Sequence, residues 1–430
     1  LNTSPRPAWF RLGRHDVRST LPAPLRAIMQ NGVLDRVFLD ALLPDFLYPA
    51  IADSEPWAGG LGDTKTFTRT GLIAPNPVPI TGSDPTPHTY GVEQWSVTMD
   101  QYGDTIDTNL LHSAMTLASK FLRDVQTLGI NAGQTLNQIA RARLYAAYGG
   151  GRTWATTAQG SASTTCVVAD VSGFLSVMVN GVPVAVSPTN PLSVTVAGVA
   201  NTVTAVNVGA KTLTLGTAVT QAIGDAVVAA NAPVSVRPGS KATAFNLTGS
   251  DVATFKLFRA AVTRLRKQNV PSNGGYYTAH ISPDTEAALF DDADFKQAAQ
   301  GRVDSPIYRD LSIGRFGGID WVRNLESPTV TVGSVTVQRP IVTGAGVLVS
   351  APFEGMGSLL AGTGTEDVPD IRMIGPATGA QVALIVRPPQ DRLQQQVSTT
   401  WSWVGDFGVP SDSVTGDSAQ FKRAVVVEHA

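Results

Sequence analysis

The sequence predicts an α+β fold. An amphipathic stretch of about 40 residues is the longest helical signal, period-two runs flank it, and a helix–strand–helix unit recurs in the second half. The 430 residues carry 43% apolar and only 15% charged side chains, with 32 basic groups against 34 acidic ones, and include 41 glycines and 28 prolines. That apolar content can bury a core, so a disordered chain is excluded. No run approaches the roughly 18 apolar residues of a spanning helix, so a membrane partner is not expected. A formal net charge of -2 excludes a strongly basic coat for nucleic acid. At about 150 residues per domain, two to three domain-sized units are expected.

Residues 1 to about 58 read as an arm broken by prolines 5, 7, 22, 24, 44, 49 and 56, with a short helix around Leu34 to Leu43. Such an arm packs either on another chain or over its own domain. Leu1 to Leu21 holds four arginines and no continuous apolar core, so a secretion signal is not indicated, and the initial Leu suggests processing or a missing start. From Gly59 to about Asp107 the pattern alternates, with Thr64, Thr66 and Thr68 in one run and Tyr90, Val92, Gln94 and Ser96 in another. These runs predict the arms of a long hairpin. The Pro-rich segment Ala74 to Pro87 between them cannot continue a ladder and should protrude. A hairpin of this kind has too little core to stand alone, which implies support from another chain.

From about Asn109 to Tyr148, Leu111, Met115, Ala118, Leu122, Val125, Ala132, Leu136 and Ile139 recur at helical spacing, with Asp107, Thr108 or Asn109 able to cap the start. A helix of about 38 residues would span roughly 57 Å. Gly129 and Gly133 suggest a bend, and Gly149-Gly150-Gly151 ends the element. Residues 152–248 contain six charges and are dominated by Val, Thr, Ala, Ser and Gly. They predict an inserted β-barrel or sandwich, with Asn180-Gly181 as its clearest hairpin turn. Ser250 or Asp251 then caps a helix whose Val252, Phe255, Phe258, Val262 and Leu265 form one stripe, with Arg259, Arg264, Arg266 and Lys267 mostly outside it. Asn269-Val270-Pro271 stops it, a strand runs from Tyr276 to Ile281, and Ser282-Pro283 opens a second short helix. Strands follow at 319–323, 330–337, 346–350, 381–386, 397–404 and 421–427.

Little in this order suggests catalysis. His15, His88, His112, His280 and His429 are scattered, and Cys166 is the single cysteine, so a zinc site and an internal disulfide are excluded. Asp291, Asp292 and Asp294, or Asp100, Asp104 and Asp107, could hold a hard cation or simply serve as solvated turns and caps. Gly355-Met356-Gly357 and Gly362-Thr363-Gly364 lack the lysine and the context of a phosphate loop. There is no nucleophile elbow, although a triad from distant residues is not visible to sequence reading. No catalytic residue, metal ligand or cofactor is therefore expected. Trp95, Trp321, Trp401 and Trp403 in strand-like runs offer a glycan-binding or adhesin-like alternative, or else core and interface. The skew of 24 Arg to 8 Lys fits bidentate pairing at buried interfaces as well as a GC-rich genome.

Taken in order, the Pro-rich arm, projecting hairpin, very long helix, β insert, helix–strand–helix core and C-terminal strands resemble the major capsid protein of tailed bacteriophages, the HK97-type fold. Three phrases add to the resemblance: Ser96-Val97-Thr98-Met99-Asp100-Gln101-Tyr102-Gly103-Asp104 before the long helix, Leu265-Arg266-Lys267-Gln268-Asn269-Val270-Pro271 followed by Gly275 to Pro283, and Thr399 to Gly408. The resemblance implies an N-terminal arm at 1–58, an extended loop at 59–108, a spine helix of the peripheral domain at 109–151, an inserted β domain at 152–248, an α+β core at 249–324, an axial domain at 325–400 and C-terminal strands at 401–430. It implies self-assembly into pentamers and hexamers of an icosahedral shell around double-stranded DNA, with non-specific contact to the packaged DNA and with scaffolding, portal and decoration proteins as further partners. The setting would be the virion, assembled in the host bacterial cytoplasm. Some members cross-link through a lysine of the extended loop; Lys65 sits at the base of this one, so cross-linking is not expected.

Overall fold

The computed structural model describes residues 32–57, 62–73, 75–77, 79, 82, 84, 87–109, 111, 120–300, 314–355, 370–376, 381–389, 391–393, 395–410, 412, 419 and 421–430. The arm up to residue 31, His15, His112 and the glycine loops at 356–357 and 362–364 lie outside the described residues. The first elements are helix α1 (Val33–Leu42), strands β1 (Ala52–Ser54), β2 (Thr64–Thr70), β3 (Val92–Thr98) and β4 (Asp100–Asn109), and helix α2 (Lys120–Tyr148). Strands β5 (Arg152–Trp154), β6 (Gln159–Val167), β7 (Ser176–Val179), β8 (Val182–Ala185), β9 (Leu192–Val196), β10 (Val199–Asn207), β11 (Thr212–Gln221), β12 (Ala226–Ala229) and β13 (Ser235–Val236) follow. Next come α3 (Phe255–Lys267), β14 (Tyr277–Ile281), α4 (Pro283–Asp291), α5 (Ala293–Gln300), β15 (Arg315–Phe316), β16 (Ile319–Arg323), β17 (Thr329–Val332), β18 (Val335–Gln338) and β19 (Ile341–Thr343). The last strands are β20 (Leu348–Pro352), β21 (Asp370–Ile374), β22 (Val382–Arg387), β23 (Gln396–Gly408) and β24 (Ala424–Val427). The chain is α+β, and it packs as two compact units.

One unit comprises Leu1–Phe46, Asp100–Thr135 and Pro352–Gly405. Its sheet places β23 between β4 and β22, both antiparallel to it, with β21 beyond β22. The period-two pattern does continue to Asn109, but β4 leaves the hairpin and pairs with β23, from Asp100 against Gly405 to Asn109 against Gln396. Side chains reinforce that ladder: Thr105 and Thr400 hydroxyls meet at 2.8 Å, and Tyr102 stacks on Trp403 with centroids 6.0 Å apart. On α1, Asp35 receives two bonds of 2.9 Å from Arg372, whose guanidinium also holds Asp370.

Helix α2 runs unbroken from Lys120 to Tyr148 through both of its glycines. The expected upstream part of this helix, 112–119, lies outside the described residues, while Asn109 Oδ1 accepts the Leu111 amide at 3.0 Å as the sequence anticipates. The buried stripe is Phe121, Val125, Leu128, Ala132, Leu136, Ala140, Leu144 and Tyr148. Leu122 and Ile139, expected in it, lie at its half-buried flank. Gly129 and Gly133 serve close approach: a Cβ on Gly129 would stand 2.7 Å from the Phe38 carbonyl and 2.9 Å from the Ala41 Cβ, and one on Gly133 2.7 Å from the Leu42 carbonyl. The backbone of α1 thus rests directly on α2. Gly129→Ala is expected to destabilise by about 1–3 kcal/mol through overpacking, against the roughly 1 kcal/mol that helix propensity alone would add. A urea midpoint that rises on this substitution would remove the close-approach reading.

The second unit comprises Leu47–Met99, Leu136–Ala351 and Asp406–Ala430. Residues 152–229 supply a six-stranded sheet in the order β5-β12-β9-β10-β11-β6. Its core is Cys166, Val168, Phe174, Leu192, Val194, Val196, Val203, Leu213, Leu215 and Val227 with neighbouring alanines. The Asn180-Gly181 turn joins β7 to β8 with both residues at positive φ (52° and 81°), the twist a two-residue hairpin requires. A second six-stranded sheet runs β13-β24-β19-β14-β16-β15. Phe258, Ala261, Val262 and Leu265 of α3 share one core with Ala279, Ile281, Trp321, Val342, Val425 and Val427 of these strands.

Local capping explains both a success and a miss. Ser282 Oγ accepts the Thr285 amide at 3.3 Å with Pro283 at the first helical position, as predicted. Helix α3 starts later than predicted, after Thr254, and its first amide, Phe255, donates to Asp292 Oδ2 at 2.7 Å from a distant segment. Asp251 is drawn away from capping by Lys241 and Thr248, and Val252 is exposed rather than part of the stripe.

Candidate functional site

The hairpin of β2 and β3 is the feature most different from an ordinary core element. Its strands pair in register from Thr64 against Thr98 to Thr70 against Val92, and one further bond, Gly71 to Gly91 at 2.7 Å, closes the ladder. The base is well fixed. Phe67 stacks on Trp95 with centroids 5.6 Å apart, and both pack with Val97, Val349 and Ala351. Lys65 Nζ donates to the Glu55 and Pro56 carbonyls at 3.2 Å each and lies 4.8 Å from the Phe67 ring centroid. Arg69 lies over Trp95 and 3.9 Å from Asp53, with burial lowering its guanidinium pKa. The β7–β8 turn braces β3, since Gly181 accepts the Gln94 amide at 2.6 Å and a Cβ at Gly181 would collide with the Val92 carbonyl.

Past this base the apolar side chains turn outward. Leu72 is 68% exposed, Ile73 53%, Tyr90 50% and Val92 41%. Four exposed large apolar groups on this hairpin, next to a Pro-rich segment, form a surface suited to burial against a partner.

The charged side chains that sequence reading could not place are largely bidentate pairs within the chain. Arg143 grips Asp406 at 2.6 and 3.1 Å, Arg323 grips Glu286 at 2.6 and 2.7 Å, and Arg141 reaches Glu326 at 2.6 Å. Deepest is Glu428, 1% exposed, which accepts from Arg237 Nε at 2.5 Å and from Arg339 at 2.6 and 2.7 Å. Burial pushes the Glu428 carboxyl up, but Arg339 and Arg237 together pull it further down, to a net lowered pKa. The arginine skew therefore serves internal fork geometry that lysine cannot supply.

The groups considered for chemistry are dispersed or enclosed. His280 lies in β14 with its ring tilted against that of Tyr48, centroids 4.6 Å apart, and burial lowers its pKa to about 3. His429 bonds Thr285 and the Ala430 carbonyl, and burial lowers its pKa too. Cys166 is buried, with its thiol pushed up to about 11 by desolvation. Asp292 caps α3, and Asp100, Asp104 and Asp107 lie along β4 in its ladder. Among the described residues no three His, Cys, Asp or Glu side chains converge on a common point. A pocket of about 290 Å³ near the end of α2 is lined in part by Tyr148, Ser172, Asn231, Asp412 and Lys422. Burial lowers the Lys422 pKa to about 8, and its ammonium donates to the Asn231 carbonyl. Trp95, Trp321, Trp401 and Trp403 are all buried, and Trp401 Nε1 donates to Asn131 at 2.8 Å. The glycan-binding alternative, which needed an exposed aromatic platform, has no support in these positions.

No family model matches the sequence, and no curated protein matches it significantly. In fold the chain is similar to the capsid of Ralstonia phage GP4, at 12% identity and a TM-score of 0.49, over 88% of this chain and 87% of that one. It is also similar to the cyanophage Pam1 capsid asymmetric unit, at 13% identity and a TM-score of 0.45 over 86% and 85% of the two chains. For the capsid of cyanophage P-SCSP1u the values are 11%, 0.45, and 88% and 86%.

Proposed function

We propose that the chain is the major capsid protein of a tailed phage, a structural protein and not an enzyme, which assembles with copies of itself into pentamers and hexamers of an icosahedral shell around double-stranded DNA. The observation that carries this reading is the hairpin of β2 and β3, fixed at its base and apolar and exposed beyond it at Leu72, Ile73, Tyr90 and Val92. A projection of that kind gains stability by lying on a neighbouring subunit, and repeated head-to-tail contacts of one surface on another close into rings. The order of elements around it supports the same reading, as do the three sequence phrases and the α+β architecture with its 29-residue helix.

On this reading residues 59–108 are the extended loop, 109–151 the spine of the peripheral domain and 152–248 an inserted β domain. Residues 249–324 form the central α+β core, 325–400 the axial domain, and 1–58 and 401–430 the arm and the closing strands. Scaffolding, portal and decoration proteins are further partners, and the protein resides in the virion after assembly in the host cytoplasm. No helix among the described residues is long and apolar enough to cross a membrane. Locking is non-covalent, because Lys65 is engaged at the base of the hairpin by its own chain.

Light scattering with negative-stain imaging tests the proposal. The intact chain is expected to form shells, tubes or five- and six-membered rings. A variant in which residues 72–90 are replaced by Asn-Gly keeps the Gly71–Gly91 closure with a favoured two-residue turn. It should retain its circular dichroism and lose higher assembly. A monodisperse monomer or dimer from the intact chain under all salt conditions would overturn it, and shells from the shortened variant would remove the hairpin as the contact that drives assembly.

A further inference from the structure

Helix α3 carries five basic residues, Lys256, Arg259, Arg264, Arg266 and Lys267, and no acidic one in its 13 positions. Lys256, Arg259, Arg266 and Lys267 are exposed, and Arg264 is half-buried. Lys256, Arg259, Arg264 and Lys267, with Ala260 and Thr263 between them, line a shallow depression of about 390 Å³. Among the described residues Lys256, Arg259 and Arg266 enter no ion pair. In a chain with only 15% charged residues and a net charge of -2, this is a local concentration of positive charge.

Stability of the helix alone does not account for the pattern. Arg264, Arg266 and Lys267 in the last turn do complement the helix dipole, but Lys256 lies in the first turn, where a cation is unfavourable. Lys256 with Arg259, and Arg264 with Lys267, are like-charge neighbours at i,i+3, each pair costing a few tenths of a kcal/mol. Asp292, a carboxylate at the N-terminus, is occupied by the Phe255 amide. An anionic partner would offset all of these costs at once.

The chemistry of the face selects the partner. A protein docking site gathers aromatic or aliphatic anchors at its centre, whereas the centre here is Ala260 and Thr263, small groups that let a backbone approach between splayed cations. Lys256 and Lys267 are 11 residues apart, roughly 16 Å along the helix axis. Duplex DNA presents about one phosphate charge per 1.7 Å of its axis, ample for every cation on the face.

We propose that the outward face of α3 binds the phosphate backbone of double-stranded DNA without reading its sequence. The proposal rests on the shell reading only for the identity of that DNA as the packaged genome. Arg259 and Lys267 supply the middle and end contacts, Lys256 the first, and Arg266 a flanking one.

Fluorescence anisotropy of the full chain with a mixed-sequence 20-base-pair duplex tests the inference, run beside light scattering. Four phosphate contacts predict affinity falling about 50-fold between 0.1 and 0.3 M salt. The triple variant Lys256→Gln, Arg259→Gln and Lys267→Gln should bind at least tenfold more weakly at 0.1 M salt, with a nearly flat salt dependence and unchanged circular dichroism. Its assembly should match that of the parent. The double reversal Lys256→Glu and Arg259→Glu provides a second variant should the triple one fold poorly. Equal DNA binding by parent and variants overturns the inference, whatever the assembly result. Competition by poly-glutamate as effective as by unlabelled duplex overturns it as well, in favour of an acidic protein segment. DNA binding lost in the variants while the parent forms no shells would retain the site and remove the shell reading.

Discussion

Glu428→Ala is expected to destabilise the second unit by about 3–5 kcal/mol, the usual consequence of removing one member of a buried ionic cluster. The cause is what remains. Arg237 and Arg339 converge on the two oxygens of one carboxylate, and the Arg237 side chain is only 4% exposed. Without Glu428 two guanidinium groups face each other with little solvent to screen them. Arg237 keeps its bond of 2.8 Å to the Ala242 carbonyl, which satisfies a hydrogen and leaves the charge. The cluster also fixes chain topology: β24 pairs with β13 and β19, and Arg237 and Arg339 lie just beyond those two strands. Glu428→Gln should cost less, because it preserves volume and one acceptor. Replacing all three residues by Met should recover most of the loss, since a buried ionic cluster can be exchanged for apolar packing at little net cost. Urea midpoints of the three variants measure this. A Glu428→Ala chain within 1 kcal/mol of the parent would show the cluster to be solvated after all. The pH dependence has a definite sign: with its folded pKa lowered, Glu428 stabilises above the unfolded carboxyl value of about 4.3, and that contribution disappears as pH falls through the folded value.

The parts of this fold that were legible in sequence are those decided within a few residues. Asn180-Gly181 fixes a turn because both residues accept positive φ, and Ser282-Pro283 fixes a helix start because a hydroxyl reaches an amide three residues on. Helix α1 and the arms of the β2–β3 hairpin follow from apolar spacing in the same way. What escaped was decided by distant partners. Nothing in Asp100 to Asn109 announces that β23 is its mate, since the pairing bridges almost 300 residues. Gly129 and Gly133 look like helix weakeners until the carbonyls of Phe38 and Leu42 are seen against them. The start of α3 depends on Asp292, 37 residues downstream.

The candidate site divides along the same line. The Pro-rich tip and the alternation around it mark a projection in the sequence, but which of its apolar residues face outward depends on how Phe67 and Trp95 anchor the base. The basic face of α3 was partly visible, because Arg259, Arg264, Arg266 and Lys267 fall off the apolar stripe. Lys256 joins them because it lies on the exposed side of the same helix, which only the structure shows.

Acid should weaken the second unit through His280, and His280→Phe should remove much of that sensitivity. The ring occupies the central strand β14, opposite Val322 and Ile341 of its two neighbours, and packs against the Tyr48 ring. Its Nδ1 lies 3.5 Å from Asn324 Nδ2, and Nε2 has no partner among the described residues. No carboxylate bonds the ring, so desolvation acts alone and lowers the pKa to about 3. In the unfolded chain the same imidazole titrates near 6.5. Between these values the unfolded state binds the additional proton, so stability is complete above about pH 6.5 and declines as pH falls toward 3. The loss amounts to about 2 kcal/mol at pH 5 and about 4 kcal/mol at pH 3, and approaches about 5 kcal/mol below that. His429, whose pKa burial also lowers, contributes in the same direction. Phenylalanine preserves the aromatic face toward Tyr48 and cannot ionise, so the variant should lose about 2 kcal/mol less than the parent between pH 7 and pH 5 in urea unfolding. Parallel pH profiles for the two chains would show that His280 reaches solvent before the unit unfolds, and would transfer the acid response in that range to His429.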